Sequence, residues 1–543
     1  MKSTALDSPQ SSSFAPGNGS GAPLLAFYDL SASPTSFDFV TFLARAEAAR
    51  RASGATCFRV VFVPAEGTGF WDREPFDAVE KRERLRGLLS PLCRLYPACI
   101  GAIVCASRKE ASALGRTRRA PIFPTGYRVR APVPDAYQWA HAVAALACGE
   151  ELPAWTAPPE SRRWVRSWLA ERARGRRVIV ISLREAPYYP ECNSDLKAWG
   201  SFGRELNPEQ FFVVIVRDTA TATAAPPPEL RGLACLAEAS VDPCIRAALY
   251  VEAEITLTVA SGPMQLIWLQ PECACLVFKL PNLAHARATP VPIRSMGIEP
   301  GCPAPMGRPH QRIVWEPDSL EAIRRAFRAW LAQRKRPVPQ SRSTLDPPLV
   351  IARRLRDTGR LDAALRIYGH LSHRDSRDGF PLYAACLAEL RRPEVPKPVR
   401  AWRAGRLFLR ARSLQPEWGD AAPHEQMEWA LCHEAWGRRR AAERAYTAVL
   451  AKDPQQSTAL TRLGILALGQ GRVEAALDHL RAAIEIDPYA VDAHYALGRA
   501  LSRLGRDDHA DRHFRRAALY DPSHRRAASA ARSGTVSIGR GAA

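Results

Sequence analysis

Residues 457–490 read STALTRLGILALGQGRVEAALDHLRAAIEIDPYA, and the pattern of this 34-residue stretch recurs on both sides of it. Gly437, Gly471 and Gly505 stand 34 residues apart, as do Ala442, Ala476 and Ala510. The columns Tyr446, Leu480, Phe514 and Pro454, Pro488, Pro522 keep the same period. Each column has a physical reason. Glycine suits a left-handed or crowded turn between two helices. Alanine lets those helices approach. The large apolar residue four positions later fills the gap to the next copy. Proline ends the second helix and forces the next turn. Four columns repeating twice without a gap rule out a chance amphipathic bundle.

This period and these columns resemble the tetratricopeptide repeat, a helix–turn–helix unit. Leu463-Gly464 and Leu497-Gly498 add its first-helix signature. A looser copy is RLRDTGRLDAALRIYGHL (354–371), with Gly359, Ala364 and Tyr368 in the same relative places. AWRAGRLFLRARSLQPEW (401–418) reads as a helix of another degenerate unit. The expectation is an all-helical solenoid of about four to five units, degenerate over 349–422 and regular as three repeats over 423–526. Such a solenoid implies a concave surface for a protein or peptide partner. His433, His494 and His509 occupy different columns and read as packing or surface residues, not chemistry.

Upstream, apolar runs alternate with helical stretches. RVIVISLRE (177–185), FFVVIVRDT (211–219), ACLAEAS (234–240), ITLTVASG (255–262) and ACLVFKLPN (274–282) read as buried strands. Helices are expected over 193–206, from Asp242-Pro243, from Pro263, and over DSLEAIRRAFRAWLAQ (318–333). Continuous apolar strands with helical crossovers predict a parallel, doubly wound sheet. Residues 24–150 show a second, less regular pattern of strands at LLAFYDL, FRVVFVPA and IGAIVCAS, with helix 159–174 bridging the two. The fold class expected is therefore α/β followed by all-α. It comprises a leader (1–22) read as disordered, lobes at 23–158 and 159–333, a basic linker (334–348), the helical repeats, and a tail (527–543) read as disordered.

Two Rossmann-like lobes in tandem, with VASGPMQLIWLQPECACLVF (259–278) in the second, resemble the B-type glycosyltransferases of the heptosyltransferase group. There a strand ends in a small residue, Gly-Pro and a helix, whose amides hold the diphosphate of a nucleotide-sugar. Ser261, Gly262, Pro263 and Met264 match that pattern; Ala260 and Gln265 stand where the group commonly has Asp and His. The resemblance implies a nucleotide-sugar as donor substrate and no cofactor. It assigns Arg184 at the end of the first strand of the second lobe as a phosphate clamp, with strand-capping as the alternative. Asn193 and Arg217, the latter ending the next strand, are further candidate nucleotide-sugar contacts, with pairing of Arg217 to Asp218 or to the loop carrying Asn193 and Asp195 as the other reading. Lys279 would reach a phosphate, and Glu252 would hold ribose hydroxyls or simply be solvated. Asp29, ending the first strand, resembles the acceptor-side base; a loop-capping role is the alternative. There is no GxGxxG or Walker sequence, and no Asp-x-Asp pair to argue for a metal, so none is expected.

The chain's net charge of +21 comes from 76 Lys+Arg against 55 Asp+Glu, and only 8 of the basic residues are Lys. Residues 334–412 hold 19 basic and 7 acidic residues, whereas 423–523 hold 14 of each. A polyanion contact by this middle segment is one reading. We find no interleaved aromatic residues of the kind single-strand binders use, so a solvated arginine-rich face is favoured and nucleic acid is not an expected partner. No apolar run approaches the roughly 18–20 residues that span a bilayer. The start lacks a signal-peptide core, so a cytoplasmic location is expected, with the thirteen cysteines as reduced apolar fillers. The leading expectation is a glycosyltransferase-like protein whose repeats dock a partner or acceptor. The alternative is a non-catalytic adaptor with a degenerate transferase fold.

Overall fold

The computed structural model describes residues 22–116, 120–133, 137–278, 290–299, 301–334 and 347–538. The expected leader, most of the basic linker and Lys279 lie outside the described residues. The chain forms two compact units, one of residues 1–142, 151–280 and 306–343, the other of 143–150, 281–305 and 344–543.

The first unit holds two parallel sheets. Strands β1 (Leu24–Asp29), β2 (Phe58–Val63), β3 (Cys99–Val104) and β4 (Ile122–Phe123) lie in the order β3-β2-β1-β4. Strands β5 (Arg177–Ser182), β6 (Phe211–Val216), β7 (Ala234–Cys235), β8 (Ile255–Val259), β9 (Cys275–Phe278) and β10 (Gln311–Ile313) lie in the order β10-β9-β8-β5-β6-β7. Every pairing between these strands is parallel. β1 and β8 are buried along their whole length, including Asp29, Thr256 and Thr258, as expected of parallel strands covered on both faces. The second sheet's core gathers Ile181, Leu257, Phe278, Trp199 and Phe327. The expected strand 234–240 is corrected. Only Ala234–Cys235 pairs with β6, and Ala237–Val241 turns helical, because Ala-Glu-Ala favours a helix once the edge pairing has ended.

The second unit is helical. Helices Pro348–Asp357, Leu361–Arg374, Phe380–Leu390 and Lys397–Leu414 form its first part. The pairs Pro423–Ala435 with Arg439–Lys452, Ser457–Gly469 with Val473–Ile486, and Val491–Arg503 with Asp507–Tyr520 follow. Gly437, Gly471 and Gly505 all take positive φ, between 69° and 80°, at the turn inside each pair. Ala442, Ala476 and Ala510 are buried at the helix crossings. A Cβ on Gly464 or Gly498 would lie 2.6 Å from Leu480 or Phe514, so the first-helix glycine makes room for the second helix's large apolar residue. Arg525–Ile538 is a helix, consistent with its alanine content, and residues 539–543 of the expected tail lie outside the described residues. Segments 143–150, 290–299 and 301–305, which sequence order places inside the α/β lobes, belong to this unit. Arg294 pairs with Glu299 and with Asp487 (2.9 Å), and Arg354 pairs with Glu299 at 3.0 Å. These charges are far apart in sequence, so no local pattern announces them.

Candidate functional site

In open parallel sheets, ligands bind beyond the carboxyl ends of strands where the strand order reverses. In the first unit that point lies between β1 and β4 in one sheet and between β5 and β8 in the other. Asp29 ends β1, and Arg184 and Ser261 follow β5 and β8 at these points.

Asp29 is buried, and its carboxylate is fully engaged. It accepts two hydrogen bonds from the Arg108 guanidinium, at 2.9 Å each, and one from the Tyr127 hydroxyl at 2.7 Å. The amide and hydroxyl of Ser31 donate at 3.0 and 2.6 Å. The hydrogen bond to Asp29 holds the Arg108 proton more tightly than usual. Burial first, then the Asp29 charge, pushes the Tyr127 hydroxyl well up. These five hydrogen bonds tie the end of β1 to Ser31, Arg108 and Tyr127. A different carboxyl lies nearby. Glu74 accepts from the Thr35 amide (2.9 and 3.0 Å) and hydroxyl (3.0 Å), and burial raises it above the usual carboxylate range.

On the second sheet, the Arg184 guanidinium stacks 5.1 Å from the Tyr188 ring and donates to the Tyr188 carbonyl at 3.0 Å. Tyr188 in turn meets Phe76 of the first lobe edge-on at 5.1 Å. Asn193 closes the same loop, its amide bonded to both backbone groups of Ala186 at 2.9 and 3.1 Å. Arg217 pairs with Glu185 (2.6 Å), not with Asp218 or the 193–195 loop, and that hydrogen bond raises its pKa. Arg246 escaped the sequence reading. It is 3% exposed and donates to the carbonyls of Ala239 (2.7 Å) and Arg217 (3.2 Å). Its guanidinium lies 6.0 Å from the Phe37 ring, and among the described residues it has no carboxylate partner. Nothing local distinguishes it in the sequence, because it lies mid-helix in an otherwise apolar run.

The 261–264 elbow lies against the first lobe. A Cβ on Gly262 would stand 3.2 Å from Phe37, so only glycine fits there without displacement. The helix expected from Pro263 runs only Met264–Trp268. The amides of Met264, Gln265 and Leu266 donate to Ser261, Gly262 and Pro263 carbonyls at 3.1–3.2 Å. Those amides, which an anion would need, are spent within the turn. Gln265 bridges the lobes: it accepts from the Trp139 indole and donates to Asp38 at 3.1 Å. Trp155 adds a bond to the Leu266 carbonyl at 2.7 Å. Glu252 sits apart from the elbow's polar contacts, paired with Arg162 (2.8 Å) and Arg166 (3.0 Å). Burial alone would raise it, but the hydrogen bonds from Arg166 and Arg162 together hold it below the usual range. Among the described residues no group of three or more His, Cys, Asp or Glu is placed to hold a metal, and no helix is long and apolar enough to cross a membrane.

Known proteins match the helical unit. The tetratricopeptide-repeat family matches residues 430–491 and 467–533. A comparison with curated proteins gives no match. Among solved structures, YrrB, a TPR protein with an unusual peptide-binding site, is 19% identical; the likeness covers 34% of this chain and 90% of that one, with a TM-score of 0.23. MamA from Desulfovibrio magneticus RS-1 is 21% identical over 32% of this chain and 93% of its own, with a TM-score of 0.23. Residues 430–533 are tetratricopeptide repeats, a module that typically mediates protein–protein interaction.

Proposed function

We propose that this is a partner-docking protein. The repeats hold a protein or peptide segment, and the α/β unit is a B-type transferase-like fold of two Rossmann-like lobes that serves as a rigid scaffold. The observation that carries this reading is the run of three 34-residue hairpins, matched over 430–533 to the repeat family. The state of the α/β site supports it. Asp29, Asn193, Arg217 and Glu252 are each committed to partners within the fold, and Phe37 stands over the Gly262 position. Cross-linking of the full chain to bound proteins in cells, mapped by mass spectrometry, should place partner links in 423–526. Links confined to 23–333 would sink the reading.

A second reading is favoured by Arg246, a buried cation that among the described residues has no carboxylate partner and that contacts Ser182 and Arg217 at the ends of β5 and β6. In it the α/β unit is a nucleotide-sugar transferase of the heptosyltransferase type. Arg184, Arg246 and Ser261 would face the diphosphate, and Glu74 rather than Asp29 would be the carboxyl that exchanges a proton. The two readings part in one measurement on the full chain with UDP-, GDP- and ADP-linked hexoses. The scaffold reading expects no rise in unfolding temperature and no release of nucleoside diphosphate. The transferase reading expects both, since a ligand bound only by the native state stabilises it, and expects Arg184→Ala to abolish the rise.

A further inference from the structure

The helix Lys397–Leu414 lies outside the matched repeats and presents an unusual face. It buries only Ala404, Phe408 and Ala411. Trp402 and Leu409, 61% and 65% exposed, are the most exposed large apolar side chains among the described residues, and Val399 is 38% exposed. Positions 399, 402, 406, 409 and 413 advance in steps of three and four, the spacing of a coiled-coil seam. They form one stripe about 21 Å long at 1.5 Å per residue. The helix carries Lys397, Arg400, Arg403, Arg406, Arg410 and Arg412 and no acidic residue. None of the six makes an ion pair among the described residues, and the Arg406 guanidinium lies 5.0 Å over the Trp402 ring. The sequence reading missed Trp402 as an aromatic interleaved with arginines, because only the folded structure separates it from the buried Phe408.

We propose that this stripe docks an acidic amphipathic helix of a partner protein. Val399, Trp402 and Leu409 would insert as knobs at the seam. Arg403 and Arg410 on one flank and Arg412 on the other would meet Glu or Asp at the partner's flanking positions, the arrangement that sets pairing in coiled coils. Exposed Trp flanked by Arg is also the composition of interface hot spots. A bilayer surface fits less well: an interfacial helix needs a continuous apolar face, and Arg406 interrupts this one at its centre. A single-stranded nucleic acid fits less well too, since one exposed indole provides no series of stacking platforms.

The test uses the full chain and a labelled synthetic peptide of about three heptads, with Leu at the seam and Glu on both flanks. The control peptide has the same composition in scrambled order. The seam peptide should bind at least about tenfold more tightly than the scramble, and Trp402→Ala with Leu409→Ala should lose about that factor. Arg403→Glu with Arg410→Glu should abolish binding of the Glu peptide and create binding of its Lys counterpart. These side chains are exposed, so the variants should keep the parent's circular dichroism and unfolding temperature. Equal binding of the scramble, indifference to both variants, or tighter binding to phosphatidylserine vesicles or a DNA oligonucleotide would overturn the proposal.

Discussion

Gln265 shows how one side chain can make a lobe interface. It is 5% exposed, and its amide joins Trp139 and Asp38. Removing it leaves a buried indole N–H without an acceptor, which costs about 1–3 kcal/mol. Gln265→Ala should therefore lower the stability of the α/β unit by about 2–3 kcal/mol once the lost Asp38 bond is included. Chemical denaturation followed by tryptophan fluorescence checks this, and an unchanged midpoint would show that the bridge is idle. Asp29 teaches a complementary lesson. Its position at the end of β1 is visible in sequence, but its five hydrogen bonds come from residues as distant as Arg108 and Tyr127. A strand-end carboxylate reads as reactive or as structural only once its donors are known.

At the scale of elements, the helical unit is held by charge as well as by its alanine and leucine columns. Arg356 and Glu428 are 1% and 0% exposed and pair across helices Pro348–Asp357 and Pro423–Ala435, with Arg353 as a third member. Breaking a buried pair from one side leaves a desolvated charge and costs about 3–5 kcal/mol. Glu428→Gln should destabilise the repeats by about that amount. The triple replacement Arg353→Met, Arg356→Met, Glu428→Leu should recover much of it, since apolar groups of similar volume often match or exceed an ion pair. A triple variant no more stable than Glu428→Gln would mean that the charges set the register of these helices. The 34-residue columns were readable because each repeats a local requirement: a left-handed turn, a close crossing, a helix stop. The Arg356–Glu428 contact was not, because it occurs once and joins positions 72 residues apart.

For the molecule as a whole, the histidines of the repeats tie stability to acidity. Burial first, then the His494 charge, lowers His513 from 6.5 to about 4, and the two rings meet at 3.0 Å between Nδ1 atoms. Burial likewise lowers His433 to about 4, where it stacks 3.6 Å from the Trp429 ring centroid, and lowers His494. Between pH 6.5 and about 4 the unfolded chain binds protons that these folded sites refuse. Stability from them is thus complete above pH 6.5 and is lost as pH falls. Each unit of depression corresponds to about 1.4 kcal/mol. Burial lowers His424 as well, whereas His524, raised by its hydrogen bond to Asp492, acts oppositely, one group against four. The unfolding midpoint should therefore fall between pH 7 and 5, and His513→Gln should flatten that fall; a flat wild-type profile would contradict it. Read alone, the residue order was enough for the alternation of buried strands and crossovers, the division into α/β and helical parts, and the 34-residue repeat. All of these follow from short-range periodicity, which burial imposes every two, 3.6 or 34 residues. The pairing of the lobes through Gln265, the transfer of 143–150 and 290–299 to the helical unit, the hydrogen-bond partners of Asp29 and Arg217, and the exposure of Trp402 came only with the folded chain. Each depends on which distant groups share a space, and a contact made once between remote residues leaves no period to read.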